Sequence, residues 1–167
     1  MDDETLNHNV FASDLARWLK TCGYKRRLTW ENITFNCGDG AHAYSCRPDV
    51  FSIVPALDPQ RTQPWTCEVK VSRADFLSDI RSGKWKRYRR FSCRIWFAAP
   101  AGLIRPDEMP NGLGLIEYRA PAWVPVVKAK FCKGWELSGR DLMRLILGKW
   151  GTYADRLQAE QINDAAA

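Results

Sequence analysis

The chain has 167 residues, 46% of them hydrophobic, with eight tryptophans and a net charge of +6. That length suits one domain with a fair-sized core, and that composition excludes a disordered chain. No apolar run is long enough to span a bilayer, and the opening residues Asp2, Asp3 and Glu4 have the wrong sign for a secretory signal, so a cytoplasmic protein is expected.

Taking the chain in order, Phe11, Leu15, Trp18, Leu19 and Cys22 recur at helical spacing. A helix is predicted from about Thr5 to Lys20, with Gly23 as its stop. Leu28 to Phe35 alternates as a strand does. Asn36-Cys37-Gly38-Asp39-Gly40-Ala41 then supplies turn chemistry for a hairpin into a second strand, Tyr44 to Ile53. Pro48 within that strand predicts an edge, a bulge or a bend at Arg47-Pro48-Asp49. Cys37, His42 and Cys46 are of metal-ligating types, but their spacing fits no standard zinc pattern and a fourth ligand is lacking. The simpler reading is a hairpin tip of polar and small residues. The six cysteines (Cys22, Cys37, Cys46, Cys67, Cys93 and Cys132) read together as small buried hydrophobes rather than as a disulfide set.

Pro55 to Pro64 is a polar connection. A third strand begins at Trp65, and its alternation puts Glu68 and Lys70 on one face and Cys67, Val69 and Val71 on the other. Ser72, with Asp75 three residues on, has the form of a capping box opening a helix. That helical region runs from Ala74 to Arg81, is interrupted at Ser82-Gly83, and resumes from Lys84 to Phe91. Cys93 to Ala98 is apolar without alternation, as in a strand buried on both faces. Pro106 to Gly114 connects to a short strand, Leu115 to Tyr118. Pro121 to Trp135 gives no clear pattern. Ser138-Gly139-Arg140-Asp141 opens a last helix carrying Leu142, Leu145, Ile146 and Trp150, and the tail from Ala159 is expected to fray. This order predicts an α/β fold, a central mixed sheet flanked by helices.

Two features carry chemistry. A carboxylate and an ammonium together on an otherwise apolar strand are costly unless something uses them. If the second and third strands pair, Asp49 converges with Glu68, and paired carboxylates suit a hard cation such as Mg2+. Lys70 beside them can orient a water or offset developing charge. Against this, Pro-Asp is a common dipeptide, and Glu-x-Lys is more often a solvated surface pair. The second feature is Arg81 to Arg94, which holds seven cations and no acid. Solvated faces usually mix signs, so this unopposed charge points to phosphates. Trp85, Tyr88 and Phe91 interleave at helical spacing and are read as the core face of the same segment. A membrane-surface helix is the alternative, set aside because that aromatic face is spent on the core.

At these residues a resemblance appears. Arg47-Pro48-Asp49-Val50, then Glu68-Val69-Lys70-Val71-Ser72-Arg73-Ala74-Asp75-Phe76, then Lys84-Trp85 with Tyr88, then Phe97-Ala98-Ala99-Pro100 resemble the MmcB-like DNA-repair family of the PD-(D/E)xK nuclease superfamily. The similarity covers about Leu28 to Tyr118. It implies a restriction-endonuclease-like core and Mg2+-dependent phosphodiester hydrolysis, with Mn2+ able to substitute. Asp49 and Glu68 would match the motif's acids, the Val69 carbonyl would complete the metal shell, and Lys70 would match the catalytic lysine. Glu31 falls where members carry a further acid, although a solvent-facing strand residue is an equal reading. Lys84 and Tyr88 resemble the QxxxY element of RecB-type relatives, with Lys in place of Gln, which would bring Lys84 near the scissile phosphate. The insertion Ile80-Arg81-Ser82-Gly83 departs from the family pattern at that point. The DNA-facing set is expected to comprise Arg47, Ser72, Arg73, Lys84, Lys86, Arg87, Tyr88 and Arg90. Asp75 is read as a cap and Asp79 as a partner for a helix cation.

Two functions follow from this reading. One is a metal-dependent DNA nuclease acting in repair or on foreign or phage DNA. The other is a nucleic-acid-binding module on the same fold with weak or no cleavage.

Overall fold

Helix α1 (His8–Thr21) buries Ala12, Leu15, Ala16 and Leu19 on one face, an i, i+3, i+4, i+7 stripe; of the residues read from sequence, Leu15 and Leu19 are in it and Phe11 and Trp18 are partly buried beside it. The computed structural model describes residues 8–21, 26–38 and 44–148. The expectations resting on Thr5, Cys22, Gly23, His42, Trp150 and the tail from Ala159 fall outside the described residues.

Both strands read over Leu28–Phe35 and Tyr44–Ile53 are broken in two. Strand β1 (Leu28–Glu31) ends where Asn32 takes a φ of 54°, a left-handed backbone that Asn tolerates better than most residues. The hairpin β2 (Phe35–Asn36) and β3 (Ser45–Cys46) follows. The next break falls at Arg47-Pro48-Asp49, where the proline predicts it, and β4 (Val50–Ile53) resumes beyond. Strand β5 (Trp65–Val69) leads into helix α2 (Arg73–Ser82). Gly83, at φ 65°, ends that helix in the left-handed conformation that glycine adopts without a Cβ clash. The chain continues as a 3-10 helix, Lys84–Arg90, where a helical segment to Phe91 is expected. Strands β6 (Arg94–Pro100), β7 (Gly114–Arg119) and β8 (Ala122–Val127) complete the sheet. A last helix, α3, covers residues 139–148.

The sheet order is β1-β4-β5-β6-β7-β8. β5–β6 and β6–β7 are parallel, and the other pairs are antiparallel. The expected α/β architecture with a central mixed sheet flanked by helices is what forms. Strand β8 lies in the stretch whose sequence showed no pattern. Its Pro125 faces Ile116 at a bulge on this edge strand, one of the few sheet positions that tolerate a missing N–H.

The two sheet faces bury different sets. Val50, Cys67, Val69, Trp96, Ala98 and Ile116 pack with α1. Phe51, Phe97 and Leu115 pack with Phe76 of α2 and with Trp85, Tyr88 and Phe91. Those aromatics are therefore core, as their spacing suggested.

The cysteine reading needs one correction. Cys37 and Cys46 form a disulfide, with Cα atoms 6.0 Å apart: Cys46 pairs with Phe35 across the β2–β3 hairpin, which sets it diagonally from Cys37, two residues further along. Both are then unavailable as free zinc ligands. Cys67 and Cys93 are buried free thiols, as expected. Among the described residues, no helix is long and apolar enough to cross a membrane.

Candidate metal and nucleic-acid site

Antiparallel pairing of β4 with β5 sets Val50 opposite Cys67. Asp49, one residue before β4, therefore lies beside the last residues of β5. Its Oδ2 accepts a hydrogen bond from the Val69 N–H at 2.7 Å and sits 3.2 Å from His8 Nε2 at the start of α1. Val69 thus enters the site through its N–H. His8 was missed from sequence, since nothing local links it to a residue 41 positions away.

Glu68 points to the opposite face from Cys67 and Val69 and is only 2% exposed. Tyr88 donates its hydroxyl to Glu68 Oε1 at 2.6 Å. Glu68 Oε2 lies 3.8 Å from Lys70 Nζ and 3.9 Å from Lys84 Nζ. Burial, and then the charge of Asp49, push the Glu68 carboxyl up to about 7, against the opposing pull of Lys84, Tyr88 and Lys70. The same burial and the adjacent Glu68 charge raise the Tyr88 phenol, so Tyr88 stays a donor.

Lys70 is 4% exposed. Its Nζ is 2.7 Å from Asp79 Oδ2 and 3.0 Å from Asp75 Oδ2. Burial pulls its pKa down, but hydrogen bonds to Asp79 and Asp75 and the charge of Glu68 outweigh it and hold Lys70 as an ammonium. This corrects the roles read for the two aspartates. The Asp75 N–H does cap onto Ser72 Oγ at 3.2 Å, yet its carboxylate turns to Lys70 instead of closing a capping box. Asp79 pairs with this strand lysine and not with a cation of its own helix. Their i, i+4 spacing, which sets both on one helix face, was the available signal.

Glu31 goes elsewhere. It pairs with Val50 across β1–β4 and so shares the α1 face, while Glu68 occupies the other. Its carboxylate accepts from Ser13 Oγ at 2.6 Å.

The expected DNA-facing residues divide. Arg47, Lys84, Lys86 and Arg87 are exposed. The Arg87 guanidinium lies 4.6 Å over the Tyr44 ring. Ser72 is exposed but serves as the α2 cap. Arg73 is held by Glu108 and the Leu103 carbonyl. Two assignments are corrected. Tyr88 is fully buried and spends its hydroxyl on Glu68, so it cannot reach a nucleic acid. Arg90 makes a bidentate pair with Asp141 at 3.0 and 3.1 Å, which commits its fork to the core.

Electrostatics decide what the centre suits. Four carboxylates (Asp49, Glu68, Asp75 and Asp79) meet two ammonium groups (Lys70 and Lys84). Glu68, raised toward neutrality, and Asp49, which His8 also touches, are its hard oxygen donors. Such a donor set suits Mg2+, which binds through one or two carboxylates and keeps several waters. No three described His, Cys, Asp or Glu side chains are grouped as a ready-made cage. A cleft of ≈ 520 Å³ lined by Asn9, Val10, Phe11, Asp14, Arg17 and Tyr118 contains none of the charged centre.

No family model matches the chain, and no curated protein matches it. A solved structure does: a protein of unknown function from Silicibacter pomeroyi, 25% identical over 95% of this chain and 94% of that one, with a TM-score of 0.63. That likeness extends along nearly the whole chain and concerns its fold.

Proposed function

We propose that this chain is a metal-dependent DNA nuclease of the PD-(D/E)xK type, related to the MmcB-like family and working in the cytoplasm. The order α1, β1, β4, β5, α2, β6, with acids on β4's leading edge and on β5, supports a restriction-endonuclease-like core. The observation that carries the reading is the buried Glu68 set beside the half-buried Asp49. Glu68 is pushed up to about 7 with Lys70 3.8 Å away, a price that a scaffold without chemistry has no reason to keep. Asp49 and Glu68 would hold Mg2+ or Mn2+, which when bound supplies charge neutralisation at the phosphate and a more acidic water. The chain's own residues do the rest. Lys70, held as an ammonium, orients the attacking water and offsets charge at phosphorus. Lys84 reaches toward the scissile phosphate from the mouth of the site. Lys86, Arg87 and Arg47 hold the DNA backbone, a sequence-independent and salt-sensitive attraction. Attack in line would leave a 5′ phosphate and a 3′ hydroxyl. Repair or the processing of foreign DNA is the setting that the family resemblance suggests.

A second reading rests on a specific observation. Lys70 is nearer to Asp79 and Asp75 than to Glu68, and a lysine so engaged also fits a module that binds DNA and cuts weakly or not at all. Incubation with supercoiled, linear and single-stranded DNA plus Mg2+ or Mn2+ separates the two. The nuclease reading expects wild type to cut, and Asp49→Ala and Lys70→Ala to bind DNA but lose at least about a hundredfold in rate. A pure wild type that nicks no DNA form under any of these conditions refutes it.

A further inference from the structure

The arrangement around Lys70 assigns a task to helix α2. We propose that Asp79, assisted by Asp75, is a positioning residue that holds the Lys70 ammonium off Glu68, so that Glu68 Oε2 stays available to a divalent cation. The proposal rests on the nuclease reading for the identity of that cation, but its structural part stands alone.

The geometry favours α2 as the anchor. Lys70 follows β5 directly, and its N–H donates to the Ala98 carbonyl at 2.8 Å, which fixes its backbone. Its buried side chain meets three carboxylates, of which Glu68, on the adjoining strand β5, is the farthest. Asp79 is at 2.7 Å, Asp75 at 3.0 Å and Glu68 at 3.8 Å. A buried ammonium must find a full partner. Without α2 it would take the remaining carboxylate and form a tight pair with Glu68, whose Oε1 is already engaged by Tyr88. Both Glu68 oxygens would then be occupied, and a cation would have to displace a lysine. Asp79, 16% exposed, is the stronger anchor, while Asp75, 49% exposed, is screened by water. The Ser72 cap and the Gly83 turn fix the ends of α2, so the two aspartates approach Lys70 from a rigid element.

Supporting partners of this kind around metal ligands are typically worth ten- to a hundredfold in affinity. The test uses Asp79→Ala, Asp79→Asn and the double variant Asp79→Ala/Lys70→Met in the full chain, each first shown to unfold cooperatively. Crystal structures of the metal-free proteins should show Lys70 Nζ moving to within about 3 Å of Glu68 in Asp79→Ala. Mn2+ titration by calorimetry should show about tenfold weaker binding for Asp79→Ala, less loss for Asp79→Asn, and recovery in the double variant. A merely structural role for Asp79 would not be reversed by removing Lys70. The proposal is overturned if Lys70 keeps its distance from Glu68 in Asp79→Ala, or if the double variant binds Mn2+ no better than the single one. A wild type that binds no Mn2+ would sink the nuclease reading, and the Lys70 position in Asp79→Ala would still decide whether Asp79 is the anchor.

Discussion

Glu68→Gln should make the metal-free protein more stable at pH 8, although it removes a residue from the centre of the site. In the fold the Glu68 carboxyl is raised from 4.5 to about 7, chiefly by burial and then by Asp49. A carboxyl raised on folding favours the native state fully below its unfolded value, and that advantage is lost as pH climbs to the folded value. Between about pH 4.5 and 7 the wild type should therefore lose stability. At about 1.4 kcal/mol per unit, the shift corresponds to an upper value of about 3 kcal/mol. Glutamine removes the charge and keeps an acceptor for Tyr88, but its amide NH2 would face the ammoniums of Lys70 and Lys84. Subtracting about 1 kcal/mol for that mismatch leaves about 2 kcal/mol. For a chain of this size that is about 4–8 °C in melting temperature. Thermal unfolding in chelator from pH 4 to pH 8 measures it; the two curves should cross between about pH 5 and 6, and at pH 4, where the wild-type carboxyl is neutral, only the mismatch of about 1 kcal/mol remains and the variant is the less stable protein. Mg2+ should then raise the wild-type melting temperature and leave the variant nearly unmoved, since only a ligand that binds the native state shifts it. A variant that is no more stable than wild type at pH 8, or a difference that does not change with pH, would refute the account of Glu68 as a costly buried charge.

The remaining expectations test the core and the surface proposed to bind DNA. Gly114→Ala should cost about 3 kcal/mol or prevent folding, because a Cβ there would sit 2.2 Å from Trp96 Cε3 and 2.8 Å from the Ala129 nitrogen; urea titration reads it. Arg90→Ala should cost about 2 kcal/mol, since Asp141 is buried while Arg90 is one-third exposed and Ser138 still serves the carboxylate. Burial works against it, but Arg90 and Ser138 depress the Asp141 pKa. That stability is therefore present above the ordinary aspartate range and fades as pH falls through it, so the Arg90→Ala deficit should shrink below about pH 4. Lys86→Glu and Arg87→Glu should weaken binding of all DNA sequences alike. Each should flatten the dependence of log affinity on log salt by about one or more, as fluorescence anisotropy at several salt concentrations would show.

What the sequence made legible was whatever local periodicity controls. The alternation at Trp65–Val71 separates Glu68 from Cys67 and Val69, and the two faces are indeed distinct. Ser72 caps α2, Pro48 breaks the second strand, and Trp85, Tyr88 and Phe91 go to the core. What was not legible depends on partners distant in sequence. Arg90 looked like a free cation because Asp141 lies 51 residues away. Tyr88 was assigned both to the core and to DNA, and only the Glu68 contact shows that its polar end is consumed inside. Asp79 was paired with its own helix because Lys70, on the preceding strand, is brought under α2 only by the β5–α2 turn. The pair Cys37 and Cys46 was read by compartment, a consideration that carries no information about hairpin register.

Topology explains why these charges gather at one place. β5 is the strand at which the sheet changes from antiparallel to parallel pairing, with β4 on one side and β6 on the other. The antiparallel side sets the beginning of β4 next to the end of β5, which delivers Asp49 to the Val69 N–H. The parallel side requires a crossover after β5, and that crossover is α2 followed by the Lys84–Arg90 3-10 helix. The crossover leaves from the end of the strand that carries Glu68. It therefore lays Asp75 and Asp79 over Lys70, then Lys84 and Tyr88 over Glu68, before the chain returns as β6. A single strand end thus collects groups from α1, β4, α2 and the 3-10 helix. The basic face of that 3-10 helix lies outside the same centre because the crossover's inner aromatics must fill the core. Any change that rotates the 3-10 helix should therefore disturb Glu68, through Tyr88, and the exposed cations together, which couples the charged centre to the surface proposed to bind DNA.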